Sequence, residues 1–261
     1  MYEPDQKFLR TETETFFISD FTRALTELKI CPGDIVCVHS QIFSLGCPFI
    51  SKENLLELLT EILQQMVGKN GTLMMPAFSY SFCKKELFDV QNTPSDVGVL
   101  TEFFRKQKNV KRTAHPIFSF SVWGEKQEEY LDIGPDAFGL DSVYGKMIKD
   151  GGKILLLGAD KGYTFYHLAE EHVNVAHRYF KNFSGVMKDE KGVIRHMNVP
   201  YFVRDLSMKS DVDERKLSKF LMEKKCQVQL SFRNGTLSVT DCRMAYEALV
   251  KALRADERRF L

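Results

Sequence analysis

Apolar positions along this chain follow two rhythms, a helical period and short continuous runs, which alternate up to about residue 170. In the helical rhythm, Phe21, Leu25 and Leu28 share one face of a segment that Ser19 or Asp20 can cap and that runs through Ile30. Leu55, Leu58, Leu59, Ile62 and Met66 repeat that pattern behind Ser51. Val97, Leu100, Phe103 and Phe104 repeat it again behind Thr93-Pro94-Ser95. The runs between them predict buried strands at 35–38, 72–77, 117–122 and 154–157, with turns at Pro32-Gly33-Asp34 and Asn70-Gly71. Beyond Glu170 the alternation changes character. Phe202 and Val203, then 226–232 and 236–240, predict antiparallel strands, with Asn234-Gly235 as the hairpin turn between the last two. Asp241 caps a final helix to about Leu253. The pattern predicts one α/β domain over residues 1–261, with a mixed central sheet, helices on both faces and an antiparallel C-terminal portion.

Composition narrows the classes of function. The 36 basic and 35 acidic residues nearly cancel, so no strong field points to nucleic acid or an anionic membrane. No stretch reaches the length of apolar residues that a membrane helix needs. The polar start, 1–10, lacks the apolar core of a signal peptide. Cys31, Cys37, Cys47, Cys83, Cys226 and Cys242 contain no C-x-x-C pair and predict reduced, mostly buried thiols in a cytoplasmic protein. No cluster has the spacing of metal ligands, and His167, His172 and His177, five apart, would spread around a helix.

The chemistry gathers at predicted strand ends. The run at 153–157 ends in Gly158-Ala159-Asp160, and a helix opens near Thr164. His167 then lies in the first helical turn, with Glu170 three residues on and on the same face. A histidine at the end of a buried strand with a carboxylate in reach is the usual support of a general base, and equally a satisfied histidine at a helix start. His39 and Ser40 follow the first buried strand. The polar loop after them, 41–46 with Ser44, offers N–H groups suited to a phosphate or makes an ordinary strand-to-helix turn. Tyr80 and Asp89 follow the second strand and either shape a pocket or pack a loop. Arg112 and His115 precede the third, where they face an anionic ligand and a substrate or serve structure alone.

Taken in order, six blocks resemble the aminoglycoside 3-N-acetyltransferase family, a CoA-dependent group unrelated in fold to the common acetyltransferase superfamily. They are Gly33-Asp34 through His39-Ser40 to Ser44-Leu45-Gly46; Gly71 to Phe78; Phe88-Asp89 with Thr93-Pro94-Ser95-Asp96-Val97-Gly98; Glu102-Phe103-Phe104-Arg105; Arg112-Thr113-Ala114-His115-Pro116 with Ser119; and Gly158 to Glu170. The resemblance covers about residues 34–185. It implies a three-layer α/β/α fold and transfer of an acyl group from acyl-CoA to an amine on a sugar, with no metal. His167 matches the family's catalytic histidine and Glu170 its glutamate. His39, Ser40, Ser44, Arg112, Thr113 and Ser119 match segments that hold CoA, while Tyr80, Asp89, Glu102, His115, Asp160 and Thr164 are the expected substrate-facing residues. Gln41, Ala77, Ser79 and Asp141-Ser142-Val143 depart from the family pattern around the acceptor and acyl pockets.

A polycationic aminoglycoside calls for a carboxylate-rich site. This balanced chain, with basic clusters at 106–112 and 146–153, suits CoA phosphates and an anionic, nucleotide-linked amino sugar. The expected acceptor is therefore a nucleotide-linked amino sugar. The alternatives are an aminoglycoside, as in antibiotic resistance, and a non-catalytic CoA- or nucleotide-binding protein. The expected partners are small molecules, with no nucleic acid or membrane, and a homo-oligomer is open.

Overall fold

A computed structural model describes residues 3–159 and 162–261. In chain order its elements are strands β1 (Lys7–Arg10) and β2 (Thr15–Phe17), helix α1 (Ile18–Glu27), β3 (Ile35–Ser40), β4 (Cys47–Pro48), α2 (Lys52–Val67), β5 (Thr72–Pro76), β6 (Phe88–Asp89), α3 (Val99–Arg105), β7 (Lys111–Arg112), β8 (Phe120–Gly124), α4 (Gln127–Leu131), α5 (Val143–Asp150), β9 (Lys153–Leu157), α6 (Tyr166–Val173), β10 (Arg178–Lys188), β11 (Ile194–Arg204), α7 (Glu214–Glu223), β12 (Gln227–Phe232), β13 (Gly235–Asp241) and α8 (Cys242–Ala255). The main sheet has seven strands in the order β12-β13-β9-β3-β5-β8-β7. Its centre, β9-β3-β5, is parallel, and antiparallel strands flank it on both sides.

Successive side chains of a strand point to opposite faces, and here that alternation separates two cores. Val36, Val38, Leu73, Met75, Leu155 and Leu157 join Phe21, Leu25, Leu55, Leu59, Leu100 and Phe104 of α1, α2 and α3. Ile35, Cys37, Met74, Ile154 and Leu156 join Tyr144, Met147, Leu168 and Leu249 of α5, α6 and α8 on the other face. The fold is thus the expected three-layer α/β/α with a mixed sheet. Parallel strands buried on both faces read as unbroken apolar runs, which is why 35–38 and 153–157 stand out in sequence.

The ends of elements differ from expectation for local reasons. Helix α1 stops at Glu27, because Lys29 takes φ +59° and the Ile30 N–H closes back on the Leu25 carbonyl. Strand β3 runs through Ser40, so His39 and Ser40 are its last residues and not the start of a loop. The loop after it is not simply polar: 42–44 forms a 3-10 turn, and Ile42 and Leu45 are buried. Helix α3 begins at Val99, not near Thr93, because Gly98 at its N-terminus has φ +141° and the Glu102 carboxylate holds the Ser95 N–H outside the helix. Strand β8 begins at Phe120, since His115 Nδ1 accepts the N–H groups of both Ile117 (3.2 Å) and Phe118 (2.8 Å) and curls that stretch into a turn. The last hairpin turns on Arg233-Asn234, one residue early, with Arg233 at φ +65° and Gly235 already opposite Phe232. Ser51 and Asp241 cap α2 and α8 as predicted.

The long ribbon β10–β11, paired over eleven residues on each strand, was signalled in sequence only at Phe202 and Val203. Helices α4, α5 and α7 and strands β1, β2, β4 and β6 carried no clear signal. The cysteines are all free; three are buried, Cys83 is half-buried, and Cys31 and Cys47 are exposed, so fewer are buried than expected. Among the described residues, no helix is long and apolar enough to cross a membrane.

Candidate active site

Parallel strands deliver their C-terminal ends to one edge of a sheet. Where neighbouring connections leave in opposite directions, a crevice opens there. Strand β3 lies between β5, reached through α2, and β9, reached much later in the chain, so the crevice falls at the ends of β3, β5 and β9. A cavity of about 390 Å³ occupies it, lined by His39 and Ser40 from β3 and Gln41 just after it, Pro76, Phe78 and Tyr80 from β5 and its loop, and Ala159, Gly162 and Thr164 after β9. His167, Phe118, Val97, Thr101 and Tyr201 complete the wall.

His167 is the second residue of α6, and its N–H donates to the Thr164 carbonyl (3.1 Å). Its Nδ1 lies 2.6 Å from Glu170 Oε2. The helix ends at Asn174, φ +57°, and the chain turns back, so that His177 Nε2 reaches Glu170 Oε1 (2.9 Å) and Arg178 Nε lies 2.6 Å from Oε2. Glu170, fully buried, is therefore shared by three basic side chains. Burial would raise its pKa, but the hydrogen bonds from His167 and His177 and the charge of Arg178 hold it down to about 2. An ionised Glu170 fixes the His167 proton on Nδ1 and leaves Nε2 as the basic nitrogen. Burial pushes the His167 pKa below the ordinary histidine value; the bond to Glu170 opposes this, and Arg178, with Nη2 3.5 Å from Nε2, adds to the lowering. The ring is neutral at physiological pH, retains 22% side-chain exposure, and lines the cavity. The edge of the Phe138 ring packs against it, with centroids 5.5 Å apart.

Across the cavity, burial depresses the His39 pKa to about 4, and its Nε2 lies 3.4 Å from the Tyr144 hydroxyl. Gly162 packs directly on that imidazole: a Cβ there would lie 3.2 Å from His39 Cβ.

Of the residues expected from sequence, His39, Ser40, Tyr80, Thr164 and His167 meet in this cavity, with Glu170 behind His167. Asp160 lies outside the described residues. The others do not line it. The Ser44 hydroxyl sits 2.5 Å from the Gly158 carbonyl and 2.7 Å from the Gln41 carbonyl, so it clamps two loops together. Arg112 is buried, donates to Ser119 Oγ (2.8 Å) and to the Thr93 and Ala77 carbonyls, and stacks on Phe88. Ser119 Oγ donates to the Ala77 carbonyl (2.7 Å), and Thr113 Oγ1 accepts the Phe120 N–H (2.9 Å). These three residues brace the sheet edge. Asp89 accepts the N–H groups of Gln91 and Asn92 and pairs with Lys188, while Glu102 holds Ser95, Arg105 and Lys106. His115 is buried and uses its Nδ1 in its own turn. The basic cluster at 106–112 borders a separate cleft, where Lys106 pairs with Glu102 and Lys111 with Glu128. In the cluster at 146–153, Lys146 donates to the Glu129 and Asp132 carbonyls and Lys153 pairs with Asp34.

Sequence reasoning missed His177, Arg178 and Tyr201. For the first two a signal existed: Asn174 is a residue type that tolerates the left-handed conformation ending a helix, and a helix ending there frees 177 and 178 to return toward 170. Tyr201 depends on ribbon pairing that the sequence does not mark.

Comparison with known proteins places this arrangement. The family model described as aminoglycoside 3-N-acetyltransferase matches residues 37–254. Aminoglycoside N(3)-acetyltransferase IV of a Salmonella species is 35% identical over 153 residues, 56% of this chain and 55% of that protein. The SPbeta prophage-derived aminoglycoside N(3')-acetyltransferase-like protein YokD of Bacillus subtilis (strain 168) is 30% identical over 177 residues, 58% of this chain and 64% of the relative. These alignments thus span less than two thirds of either relative's length. A solved structure described as AAC-IIIb binary with CoASH superposes with a TM-score of 0.76 at 21% identity, over 93% of this chain and 96% of that one, a likeness of fold. With the family model matched over most of its length, and with this fold, the chain belongs to the aminoglycoside 3-N-acetyltransferase family.

Proposed function

We propose that residues 1–261 act as one N-acyltransferase domain that moves an acyl group from acyl-CoA to the amine of an amino sugar, with His167 as general base. The observation that carries this reading is His167 at the cavity wall, its Nδ1 held 2.6 Å from the buried, ionised Glu170 and its Nε2 left basic. A sugar amine with a pKa near that of lysine is mostly protonated at neutral pH and is a nucleophile only after losing a proton. Once the ammonium has released one proton to solvent, the neutral nitrogen attacks the thioester carbonyl, Nε2 takes a second proton from it as the bond forms, and Glu170 stabilises the resulting imidazolium. Collapse of the tetrahedral adduct breaks the carbon–sulfur bond. The imidazolium then returns a proton to the departing thiolate, so the products are the amide and free CoA. No covalent enzyme intermediate is needed, and the cysteines have no part in it.

Acyl-CoA is the donor because the family is CoA-dependent and a structural neighbour is described with CoASH. Its thioester end belongs in the cavity by His39, Ser40 and Gln41. The acceptor is a sugar amine, as the names of the relatives say of those proteins. A nucleotide-linked amino sugar is favoured here over an aminoglycoside on the balanced charge of the chain, 36 basic against 35 acidic residues, where a site for a polycation calls for an excess of carboxylates. We place the reaction in the cytoplasm, with small molecules as its substrates.

The test is a thiol-release assay with acetyl-CoA and a panel of amino sugars and aminoglycosides, run on the native protein and on His167→Ala. The variant should remain folded and bind CoA, while turnover falls by roughly 10²–10⁴-fold. Near-normal turnover in a folded His167→Ala protein would remove the histidine from its role.

A further inference from the structure

Glu170 offers two carboxylate oxygens to three basic side chains, and the structure divides them unevenly. Oε2 meets both His167 Nδ1 and Arg178 Nε at 2.6 Å, while Oε1 lies 2.9 Å from His177 Nε2. The Arg178 contact is one-pronged and out of line. Its Nε meets the oxygen at ion-pair distance without hydrogen-bond geometry. Its Nη1 donates to the Phe202 carbonyl (3.1 Å), and its Nη2 lies 3.5 Å from His167 Nε2. A guanidinium beside a carboxylate often closes a two-pronged pair, one nitrogen on each oxygen. Here His177 occupies the second oxygen.

The backbone places His177 for this. Strand β10 starts one residue later, where the Arg178 N–H donates to the Val175 carbonyl (3.3 Å), and the His177 carbonyl accepts the Asp205 N–H (3.0 Å) just past the end of β11. The ring is buried and does not line the cavity. Facing an ionised carboxylate, Nε2 carries the ring's proton, which leaves Nδ1 a bare acceptor. Nδ1 finds no hydrogen-bond partner among the described residues, so the imidazole is committed to its one bond with Oε1. Tyr166, whose buried hydroxyl stays protonated, interacts with the same carboxylate but without ordinary hydrogen-bond geometry. A carboxylate turns easily about the last bond of its side chain. Without a donor on Oε1, that freedom lets Arg178 close on both oxygens, and the turn carries Oε2 out of line with His167 Nδ1. The His167 proton is then no longer fixed on Nδ1, and Nε2 is no longer reserved as the base.

We propose that His177 is a positioning residue for the acyl transfer: by holding Glu170 Oε1 it keeps Arg178 from closing a two-pronged pair with the carboxylate, and so keeps Oε2 on His167 Nδ1. The inference rests on the N-acyltransferase reading for its effect on rate, but not for its effect on the His167 tautomer.

The experiment uses the full chain and four variants. His177→Leu fills the space without a donor, and His177→Asn carries an amide too short to reach Oε1. His177→Gln puts an amide nitrogen where Nε2 stands, and the fourth combines His177→Leu with Arg178→Gln. Nitrogen-15 NMR of labelled histidine reads the His167 tautomer, its signal assigned by its loss in His167→Ala. Thiol release from acetyl-CoA with an amine acceptor gives kcat, KM and the pH profile. The native protein and His177→Gln should hold the His167 proton on Nδ1. His177→Leu and His177→Asn should spread it over both nitrogens and leave KM for acetyl-CoA nearly unchanged. Their kcat should fall by roughly 10–100-fold, the worth of one hydrogen bond to a charged group. Their acid limb should move to lower pH, because a carboxylate paired with arginine supports an imidazolium less. Arg178 Nη2 and Arg204, the other cations acting on His167, are unchanged in the single variants. Adding Arg178→Gln to His177→Leu should return most of the lost kcat, since the competing fork is gone. A fall in kcat with tautomer and limb unmoved would make His177 a packing residue and overturn the proposal. So would a double variant no faster than His177→Leu alone. If His177→Leu does not fold, His177→Asn decides by the same tautomer and limb. The expected tautomers, with no turnover of any amine by the native protein, would overturn the acyltransferase reading and keep the positioning role.

Discussion

At the scale of the residue, the behaviour of the site rests on how one buried carboxylate is shared. Glu170 alone would raise the basicity of His167, whereas Arg178, held against the same carboxylate, lowers it. Burial and Arg178 win, so the His167 pKa lies below the ordinary 6.5. The acid limb of kcat/KM, which reports the free enzyme's base, should therefore fall below that value. Arg178→Gln removes the cation but keeps most of the volume, and should move the limb to higher pH. A pH–rate profile of the two proteins with one amine acceptor checks this, and a limb that stays in place or moves down would contradict the arrangement. Arg112 carries a different lesson. A basic residue next to a family motif reads as a phosphate ligand, yet every acceptor it meets is a carbonyl or hydroxyl of its own chain. Such a guanidinium is a brace whose planar fork a lysine could not copy.

At the scale of the element, the cavity depends on how strand ends meet loops. Gly158 follows β9 with φ +69°, and a Cβ there would lie 2.5 Å from Ser44 Oγ and 2.8 Å from the Gln41 carbonyl. That close approach lets the Ser44 hydroxyl tie the loop after β3 to the end of β9. Gly158→Ala adds both backbone strain and a clash, and should destabilise the protein by about 2–3 kcal/mol. It should also displace Gln41, a lining residue, and so raise KM. Urea unfolding of the variant checks the first effect. A loss below about 0.5 kcal/mol, the range of ordinary surface changes, would mean that the loops separate freely.

At the scale of the whole molecule, several groups titrate together. His39, half-buried at the cavity wall, and His115, fully buried, are neutral rings with pKa values of about 4. A histidine whose folded pKa lies below the unfolded 6.5 binds its proton more readily in the unfolded chain, so its contribution to stability is lost as pH falls from 6.5 toward about 4. Glu170, Asp89 and Glu102, each held down to about 2, act at lower pH: their contribution is full above the ordinary carboxylate range and is lost as pH falls through it toward about 2. The melting temperature should therefore decline in two stages on acidification, the first led by histidines and the second by carboxylates. Calorimetric scans from about pH 8 to about pH 3 measure this, and a flat melting temperature from about pH 6.5 to about 4.5 would contradict the neutral histidines.

The sequence by itself determined what depends on local period and on caps. The parallel core strands, the helices behind Ser51 and Asp241, the helix carrying His167 and Glu170, and the three-layer class all follow from apolar spacing, because strands buried on both faces leave a continuous signature. Tertiary structure decided what depends on partners distant in the chain. The eleven-residue ribbon has few buried positions, so no alternation marks it, and only pairing brings Lys181 opposite Tyr201. His177 and Arg178 reach Glu170 only because the helix stops at Asn174. Arg112, Ser119 and Ser44 look like ligands in sequence because a polar side chain near a motif has the same spelling whether it faces a substrate or a buried carbonyl. Which one it faces is fixed by the fold, where an unpaired buried donor costs more than the loss of a surface contact.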